Sequence, residues 1–488
     1  MEFGRIKNFI NGEWEESKSE DIHEIRNPAL DEVIAELPMS TEDDVQRAVQ
    51  AAKDAFPEWR RVPPASRARY LFRLKELLEE NFDDLAVTQT KEVGKTIDEA
   101  RGETRRGIEN VEFATAAPSL MMGESLQDVA SGIDEYVIRE PLGIFASISP
   151  YNFPFMVPLM TLPYALATGN SLVLTPSPAD PISPTKLYEL LDEAGIPPGV
   201  VNLVHGGPEV VNLLLDHPDI KGVTFVGSTP VAKHIYRKCG ETGKRAIANG
   251  GAKNFILIMP DADPDQTMAS LLTSFFGNAG QRCLAGSVAL MVGNDDSFFN
   301  RIVDDFVDAA SQIKVGYGLD ENIQMGPVQS KDKKERICGL IQKGIDEGAK
   351  LLLDGRKVKI EGNYPDTCFL NPSIFDHVTP EMTIGSTEIF GPVGSIMRAE
   401  TLDKALDIIH RLPFGQAASI YTSNGKWARE FEYSIQAGNV GINIGIPAPM
   451  AFYPLCGMKD SFFGTMHVQG KDCIRFFTES KVVVKRWF

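Results

Sequence analysis

Apolar residues recur at helical spacing twice within the first eighty residues. The two sets are Val45, Ala48, Val49 and Ala52, followed by Leu71, Leu74 and Leu78. Thr41 and Asp44 stand before the first set with the spacing of a capping box, which marks the start of a helix. We therefore predict two helices here whose role is packing.

Beyond residue 140, short apolar runs alternate with helical stretches. The predicted strands are Ile144–Ile148, Leu172–Leu174, Val200–Val204, Val223–Val226 and Phe255–Ile258. The predicted helices between them are Pro184–Glu193, Glu209–Asp216 and Val231–Cys239. Strands that are apolar almost throughout are typical of an α/β fold with a parallel sheet covered on both faces. Ligands on such sheets bind beyond the carboxyl ends of the strands.

A second αβ stretch extends from about residue 260 to residue 445. Near the end of the chain, Lys481–Lys485 has the β-branched composition of a strand, and so does Glu135–Ile138 far upstream. Strands so distant in sequence often pair in a small sheet. We expect that sheet to serve an interface between subunits.

Composition narrows the classes of partner. The chain of 488 residues is long enough for two or three domains, and its 43% hydrophobic and 24% charged residues are those of an ordinary globular protein. A net charge of −18 argues against nucleic acid and anionic membranes as partners. The N-terminus lacks the apolar core of a signal peptide, and Pro158 and Pro163 interrupt the apolar region Phe155–Leu174, so we expect no membrane span.

The cysteines and histidines show no metal-binding pattern. The six cysteines have no C-x-x-C or zinc spacing, and the seven histidines include no H-E-x-x-H motif. We therefore expect no catalytic metal. Unpaired cysteine spacing also predicts reduced thiols and a cytoplasmic protein.

Cys283 is the strongest candidate for chemistry. It follows the small, flexible stretch Gly277–Gly280 and stands beside Arg282. A thiol reacts as its thiolate, and an adjacent cation favours that form, so the segment suits a catalytic nucleophile. A buried structural cysteine is the alternative for any single cysteine.

Three further segments carry weaker signals. Asn152, between prolines and aromatic residues, can direct its amide at a developing oxyanion, or simply satisfy a turn. Val223–Val231 combines a strand, a glycine turn and a helix start, which suits a pyrophosphate but also fits a plain turn. Glu388 and Phe390 could accept ribose hydroxyls and wall a nicotinamide, or lie in a surface loop.

Together these segments resemble the aldehyde dehydrogenase superfamily over essentially the whole chain. The matching segments, in family order, are Pro150–Pro154, Gly227–Thr229, Asn249–Lys253, Gly280–Cys283 and Glu388–Pro392. The resemblance implies a Rossmann-type nicotinamide-binding domain (residues 1–120 and 140–248), an α/β catalytic domain (249–447) and a small β oligomerisation element (121–139 and 448–488). It also implies a homodimer or a homotetramer.

The resemblance assigns roles to individual residues. Cys283 is the expected nucleophile, and Asn152 is an expected donor to the oxyanion. The expected cofactor contacts are Ser149, Tyr151, Phe153, Thr175, Ser177, Gly207, Gly227, Ser228, Glu388 and Phe390. Family members usually carry Lys-Pro-Ser-Glu where this chain has Thr175-Pro176-Ser177-Pro178, which leaves NADP open beside NAD as the cofactor.

The main departure from the family lies at Asn249, where most members carry a glutamate that acts as general base for hydrolysis of the thioester. Asparagine cannot accept a proton at neutral pH, which leaves the thioester for a better nucleophile such as the thiol of coenzyme A. Together with Gly280–Cys283 and Gly441–Pro449, this departure is similar to the methylmalonate-semialdehyde dehydrogenase subgroup, which makes acyl-CoA. That subgroup implies that Arg106 and Arg282 hold a substrate carboxylate, although Arg106 also fits a solvated helix face.

The resemblance therefore implies NAD-dependent oxidation of a malonate- or methylmalonate-semialdehyde-type aldehyde through a Cys283 thioester. Decarboxylation and transfer to coenzyme A would give acetyl-CoA or propionyl-CoA. The nearer alternative is a hydrolytic semialdehyde or other aldehyde dehydrogenase that releases the free acid. The more distant alternative is a cofactor-binding structural protein without catalysis.

Overall fold

Two large sheets, each packed against helices, organise residues 1–487, which the computed structural model describes. The strands are β1 (Asn8–Ile10), β2 (Glu13–Glu15), β3 (Ile22–Asn27), β4 (Glu32–Pro38), β5 (Ser125–Ala130), β6 (Ile133–Pro141), β7 (Ile144–Ile148), β8 (Ser171–Thr175), β9 (Val201–Leu203), β10 (Ile220–Val226), β11 (Arg245–Asn249), β12 (Asn254–Ile258), β13 (Gly286–Val292), β14 (Lys350–Leu353), β15 (Ser373–Asp376), β16 (Val393–Ala399), β17 (Phe414–Gly415), β18 (Ala417–Tyr421), β19 (Asn439–Ile442), β20 (Met458–Lys459), β21 (Phe462–Gly464) and β22 (Thr478–Arg486). The helices are α1 (Glu42–Trp59), α2 (Pro64–Glu80), α3 (Phe82–Val93), α4 (Ile97–Ala114), α5 (Ala117–Leu120), α6 (Met156–Leu159), α7 (Leu162–Thr168), α8 (Ile182–Glu193), α9 (Pro208–Asp216), α10 (Thr229–Glu241), α11 (Pro264–Phe276), α12 (Asp296–Ser311), α13 (Lys331–Asp346), α14 (Thr383–Ser386), α15 (Leu402–Arg411), α16 (Gly425–Ser434) and α17 (Gly470–Phe476).

The first sheet has the strand order β2-β1-β9-β8-β7-β10-β11-β21. Its five central strands, β9 to β11 in that order, are parallel, which confirms the predicted parallel sheet. The edge strands β1, β2 and β21 run antiparallel and were not predicted. Buried side chains of α1, α9 and α10 pack on one face, and those of α2, α7 and α8 pack on the other. Hydrophobic burial on both faces explains why the central strands are mostly apolar.

The second sheet has the order β14-β15-β16-β13-β12-β18-β19, parallel except at β14. Its core buries aromatic and aliphatic side chains of β12, β13, α11, α12 and α15. Because β11 ends the first sheet's run of parallel strands and β12 begins the second, the chain passes directly between the sheets at residues 250–253. The carboxyl end of β11 and the start of β12 therefore lie on either side of this crossing.

The two distant strand-like segments near the ends of the chain do pair. β22 lies antiparallel to β6, with Lys481 opposite Ile138, and β5 completes a three-stranded sheet. Val482 and Val484 on β22 are each 60% exposed, so this sheet leaves apolar side chains uncovered. No helix within residues 1–487 has both the length and the apolar composition needed to cross a membrane.

Two helix starts follow from short sequence signals. Thr41 Oγ1 accepts the Asp44 N–H (3.2 Å) at the start of α1, which confirms the predicted capping box. The same motif at Thr96 and Glu99 begins α4, the helix that forms one side of the site described below. The predicted leucines of the second helix lie buried in α2.

Candidate active site

Cys283 lies on a tight connection between α11 and β13. The turn Gly277–Gly280 places Asn278 and Ala279 in left-handed conformations (φ 50° each), and Gly280 continues them with φ 73°. A Cβ on Gly280 would lie 2.1 Å from the carbonyl oxygen of Gly391, so only glycine allows the two loops to meet. Asn254 Nδ2 donates to the Cys283 carbonyl (2.9 Å), which ties the cysteine loop to the start of β12. The sulfur is thereby held on a fixed backbone.

Two cavities meet at Cys283. A cleft of about 540 Å³ opens at the carboxyl ends of β7, β8 and β10. A second cavity of about 460 Å³ opens on the side of α4. Both cavities are lined by Cys283 and by the apolar side chains Phe153, Met156, Met160 and Leu455. A thiol at the junction of two cavities can meet one ligand from each side.

Most of the predicted cofactor contacts come together in the cleft. Its lining includes Ser149, Tyr151, Phe153, Ser177, Gly227, Ser228, Glu388 and Phe390. Thr175 lies buried behind the wall at the end of β8, and Gly207 stands before α9, outside the lining. The cleft also exposes Lys333 and Arg336 of α13, which the sequence analysis missed.

The cleft has the features that a dinucleotide requires. Gly227 and Ser228 connect β10 to α10 and line the cleft, and Ser228 makes no side-chain cap bond to the first N–H groups of α10. A helix start of this kind suits a pyrophosphate. The Ser149 hydroxyl is buried without a hydrogen-bond partner among the described residues, which leaves a polar atom for a ligand. The Phe390 ring packs edge-on to Tyr151 with 5.9 Å between centroids, forming an aromatic wall.

Asn152 is fixed beside the cysteine loop by a buried ion pair. Its Nδ2 donates to the Gln281 carbonyl (2.8 Å), and its own carbonyl accepts from Lys95 Nζ (2.8 Å). Lys95 also binds Glu103, and both side chains are fully buried. Glu103 Oε1 accepts two further backbone N–H groups at residues 155 and 156 (3.0 Å each). The Asn152 side chain, which lines the cleft together with Cys283, is therefore fixed on a turn and keeps one amide hydrogen without a partner among the described residues.

Burial dominates the electrostatics at the sulfur. It raises the pKa of the Cys283 thiol to about 11, and the Glu388 carboxylate acts in the same direction. The backbone N–H groups of Cys283 and Leu284 and the charge of Arg282 lower that pKa but are outweighed. The expected help from Arg282 is thus right in sign and smaller than the effect of burial. Burial also raises the pKa of Glu388 to about 7, although the Ala252 N–H donates to its carboxylate (2.9 Å).

Asn249 lies at the carboxyl end of β11, opposite Val226 of β10. Its carbonyl accepts the Gly227 N–H (3.1 Å), but neither side-chain amide atom has a hydrogen-bond partner within residues 1–487. Gly250 lines the cleft, so Asn249 stands one residue behind its wall. The position where a base was expected therefore holds a buried, uncharged amide.

The second cavity brings the two predicted carboxylate-binding arginines to the same space as Cys283. Arg106 lies on α4, and Arg282 directly precedes the cysteine. Each guanidinium already has a carboxylate partner: Arg106 Nη1 lies 3.1 Å from Glu109 Oε2, and Arg282 Nη2 lies 2.9 Å from Glu99 Oε1. Two cationic groups beside a thiol suit an aldehyde that carries a carboxylate.

Several site residues escaped the sequence analysis. They are Lys95, Glu99, Glu103, Glu109, Asn254, Lys333 and Arg336. The Thr-x-x-Glu spacing that ends at Glu99 gave a usable signal, because it marks a helix start that faces the cysteine loop. Glu109 contacts Arg106 one turn away on α4, and the remaining residues act through contacts between segments for which the sequence holds no local pattern.

A model of the aldehyde dehydrogenase family matches residues 14–483 of the chain. Malonate-semialdehyde dehydrogenase 1 of Geobacillus kaustophilus (strain HTA426) is 48% identical over 482 residues, which are 99% of this chain and 98% of the relative. Malonate-semialdehyde dehydrogenase of Halalkalibacterium halodurans (strain C-125) is 45% identical over 483 residues, again 99% and 98% of the two chains.

Solved structures agree with these relatives. The methylmalonate-semialdehyde dehydrogenase DddC of Oceanimonas doudoroffii superposes with a TM-score of 0.97 at 42% identity, covering 99% of this chain and 98% of that one. A Sinorhizobium meliloti 1021 protein, provisionally named for the same activity and complexed with NAD, gives the same TM-score, identity and coverage. These similarities extend over both sheets and the small third sheet.

Proposed function

The chain belongs to the aldehyde dehydrogenase family, and on that premise we propose that it oxidises malonate or methylmalonate semialdehyde with NAD and transfers the acyl group to coenzyme A. The observation that carries the proposal is the meeting of two cavities at Cys283, one with the features of a dinucleotide site and one with Arg106 and Arg282. The relatives named above support the choice of substrate. Acetyl-CoA or propionyl-CoA would be the product.

The first half of the reaction forms a thioester on Cys283. The thiolate attacks the aldehyde carbon, and the oxygen becomes an oxyanion within reach of the free Asn152 N–H and the Cys283 backbone N–H. The chemistry that NAD would supply in the cleft is acceptance of the hydride that leaves the same carbon. Ser149, Ser228 and Glu388 are the residues that would hold it there. The position of the sulfur between the cavities supports this order of contacts.

The second half depends on which nucleophile resolves the thioester. A thioester that carries a β-carboxylate can lose carbon dioxide, since the electron pair of the broken C–C bond moves to the thioester oxygen and a proton then adds to the carbon. The same N–H donors would stabilise that oxygen. Asn249 cannot activate water, so the thiol of coenzyme A, which is partly ionised at neutral pH, displaces Cys283.

NAD is favoured over NADP by the related structure that was solved in complex with NAD. Thr175 and Pro178 replace the lysine and glutamate common in the family, and the cationic side chains that line the cleft are Lys333 and Arg336. Lys333 Nζ lies 4.2 Å from the centre of the Tyr151 ring. A 2′-phosphate would therefore meet Lys333 and Arg336 in the cleft lining, and the choice of NAD rests on the relative that was solved with NAD.

We also propose the domain boundaries that the family resemblance implies, together with an oligomer. The exposed valines of β22 support an interface between subunits, in a homodimer or homotetramer. β21 lies within 448–488 yet joins the first sheet, so this segment contributes to the cofactor-binding domain as well. The cytoplasmic location remains a prediction supported by six unpaired cysteines.

Product analysis tests the reaction. Malonate semialdehyde and NAD are mixed with the enzyme, with and without coenzyme A, and NADH and the acyl product are measured by absorbance and mass spectrometry. We expect sustained NADH and acetyl-CoA only with coenzyme A, and without it a burst of about one NADH per site. Asn249→Glu should restore slow release of free acid without coenzyme A. Sustained NADH with free acid from the unaltered enzyme would favour the hydrolytic alternative instead.

A further inference from the structure

Both arginines of the substrate-side cavity are already paired with carboxylates of the protein. Arg282 binds Glu99 and Arg106 binds Glu109, and all four residues line the cavity. The cavity lining also contains Asp98 and the buried Glu103. A substrate carboxylate therefore enters a space where carboxylates outnumber guanidinium groups, and it must compete for them.

Glu99 is anchored so that it cannot leave Arg282 easily. Its Oε2 accepts the Thr96 N–H (3.0 Å) in the capping box, and its Oε1 accepts the Asn278 N–H (2.5 Å) as well as Arg282. Its side chain is 15% exposed. A Cβ on Gly277 would lie 2.4 Å from Arg282 Nη1, so the backbone packs closely against the guanidinium. Glu99 thus positions Arg282 and the cysteine turn together.

Glu109 is held far more loosely. Its only hydrogen bond within the described residues is to Arg106, one turn earlier on α4. Its side chain is 23% exposed and that of Arg106 is 36% exposed, so both can reach water. Ion pairs at this spacing on a helix are weak, and a better-oriented carboxylate can displace one partner.

We propose that Glu109 is a specificity-determining residue that occupies Arg106 in the empty cavity and yields it to the carboxylate of the substrate. This inference rests on the proposed substrate class. Arg282 remains on Glu99 and offers its other N–H groups, whereas Arg106 exchanges partners. Aldehydes without a carboxylate leave the Arg106–Glu109 pair intact, and Arg106 adds nothing to their binding affinity. Aldehydes with two carboxylates find no second free cation in the cavity lining.

The matched pair of variants is Glu109→Gln and Glu112→Gln. Both remove a carboxylate from α4 and keep the side-chain shape, but Glu112 faces Lys75 outside the cavity (3.6 Å). We expect Glu109→Gln to lower KM for malonate semialdehyde about threefold, equivalent to about 0.65 kcal/mol, with kcat unchanged. KM for propanal, which lacks the carboxylate, should not change, and Glu112→Gln should leave both values alone.

A second readout avoids turnover. Propanoate should protect Cys283 from alkylation, and the protecting concentration should fall about threefold in Glu109→Gln. In the Arg106→Gln background, Glu109→Gln should no longer lower the protecting concentration, because the guanidinium that Glu109 occupies is absent. A raised or unchanged KM in Glu109→Gln would overturn the inference while leaving the proposed function intact. If the unaltered enzyme does not prefer malonate semialdehyde to propanal, and Arg106→Gln does not change KM for malonate semialdehyde, the proposed substrate class itself is wrong.

Discussion

The pKa of Cys283 gives the sharpest prediction about the ligand-free enzyme. Burial raises it from an ordinary 9.0 to about 11. At pH 8 this lowers the thiolate fraction from about 9% to about 0.1%, a loss of roughly ninetyfold. A more basic thiolate attacks disulfides faster, with a Brønsted slope of about 0.4–0.5, which recovers roughly six- to tenfold. We therefore expect Cys283 to react about tenfold more slowly than an ordinary thiol.

The assay compares the folded enzyme with an unstructured peptide of residues 277–288. Both react with hydroxyethyl disulfide between pH 7 and 10, and peptide mapping by mass spectrometry follows the mixed disulfide on Cys283 alone. The enzyme rate should rise nearly tenfold per pH unit over the whole range, whereas the peptide rate should level off near pH 9. Glu388→Gln should speed the reaction at pH 8, because it removes a charge that raises the thiol pKa. The exposed Glu381→Gln serves as the control.

A plateau of the enzyme rate below pH 9 would refute the reasoning. So would an enzyme rate at pH 8 equal to that of the peptide. Either result would mean that Arg282 and the backbone N–H groups outweigh burial, as the sequence alone suggested.

Two further predictions concern residues that support the thiol. Burial raises the pKa of Glu388 to about 7, so its carboxylate is protonated as the pH falls through 7. NAD affinity, measured by titration between pH 6 and 8.5, should therefore weaken towards acid pH. In Glu388→Gln the affinity should not vary with pH, and an equal slope in both proteins would rule out a role for Glu388 in binding NAD. Glu103→Gln leaves the fully buried Lys95 without its carboxylate partner. The free energy of unfolding measured in urea should therefore fall by about 3–5 kcal/mol. A loss below 1 kcal/mol would contradict a stabilising role for the Lys95–Glu103 ion pair.

The central strands could be predicted because burial on both faces gives them a local signature. β7, β8 and β10 each contain a mostly apolar run, and each predicted run lies within the observed strand. The edge strands carry no such signature. β1 and β21 have three residues each and join the first sheet through pairings with distant strands. Pairing energy of that kind depends on the folded neighbours and leaves little trace in the segment itself.

The site divides in the same way. Cys283, Asn152 and Glu388 stand in recognisable segments, and the structure places all three at one cleft. The ion pair of Lys95 and Glu103 could not be predicted, because its function is to hold a turn more than fifty residues away in sequence. The raised pKa of Cys283 could not be predicted either. The neighbouring Arg282 is visible in the sequence, but the burial that outweighs it arises only when distant segments pack around the sulfur.

The net charge of −18 raises the question of how such a chain would bind an anionic aldehyde and a dinucleotide. Charges farther apart than about 8 Å are largely screened at physiological ionic strength, so the surface as a whole has little influence on a ligand inside a cavity. What matters is the charge at contact, since Arg106 and Arg282 line one cavity and the residues that precede α10 line the other. In our proposal Glu109 stays paired with Arg106 until a ligand arrives, whereas Glu99 keeps Arg282 throughout. We therefore expect anion selectivity to depend on which internal carboxylate can be displaced, which is decided by hydrogen bonds and not by net charge.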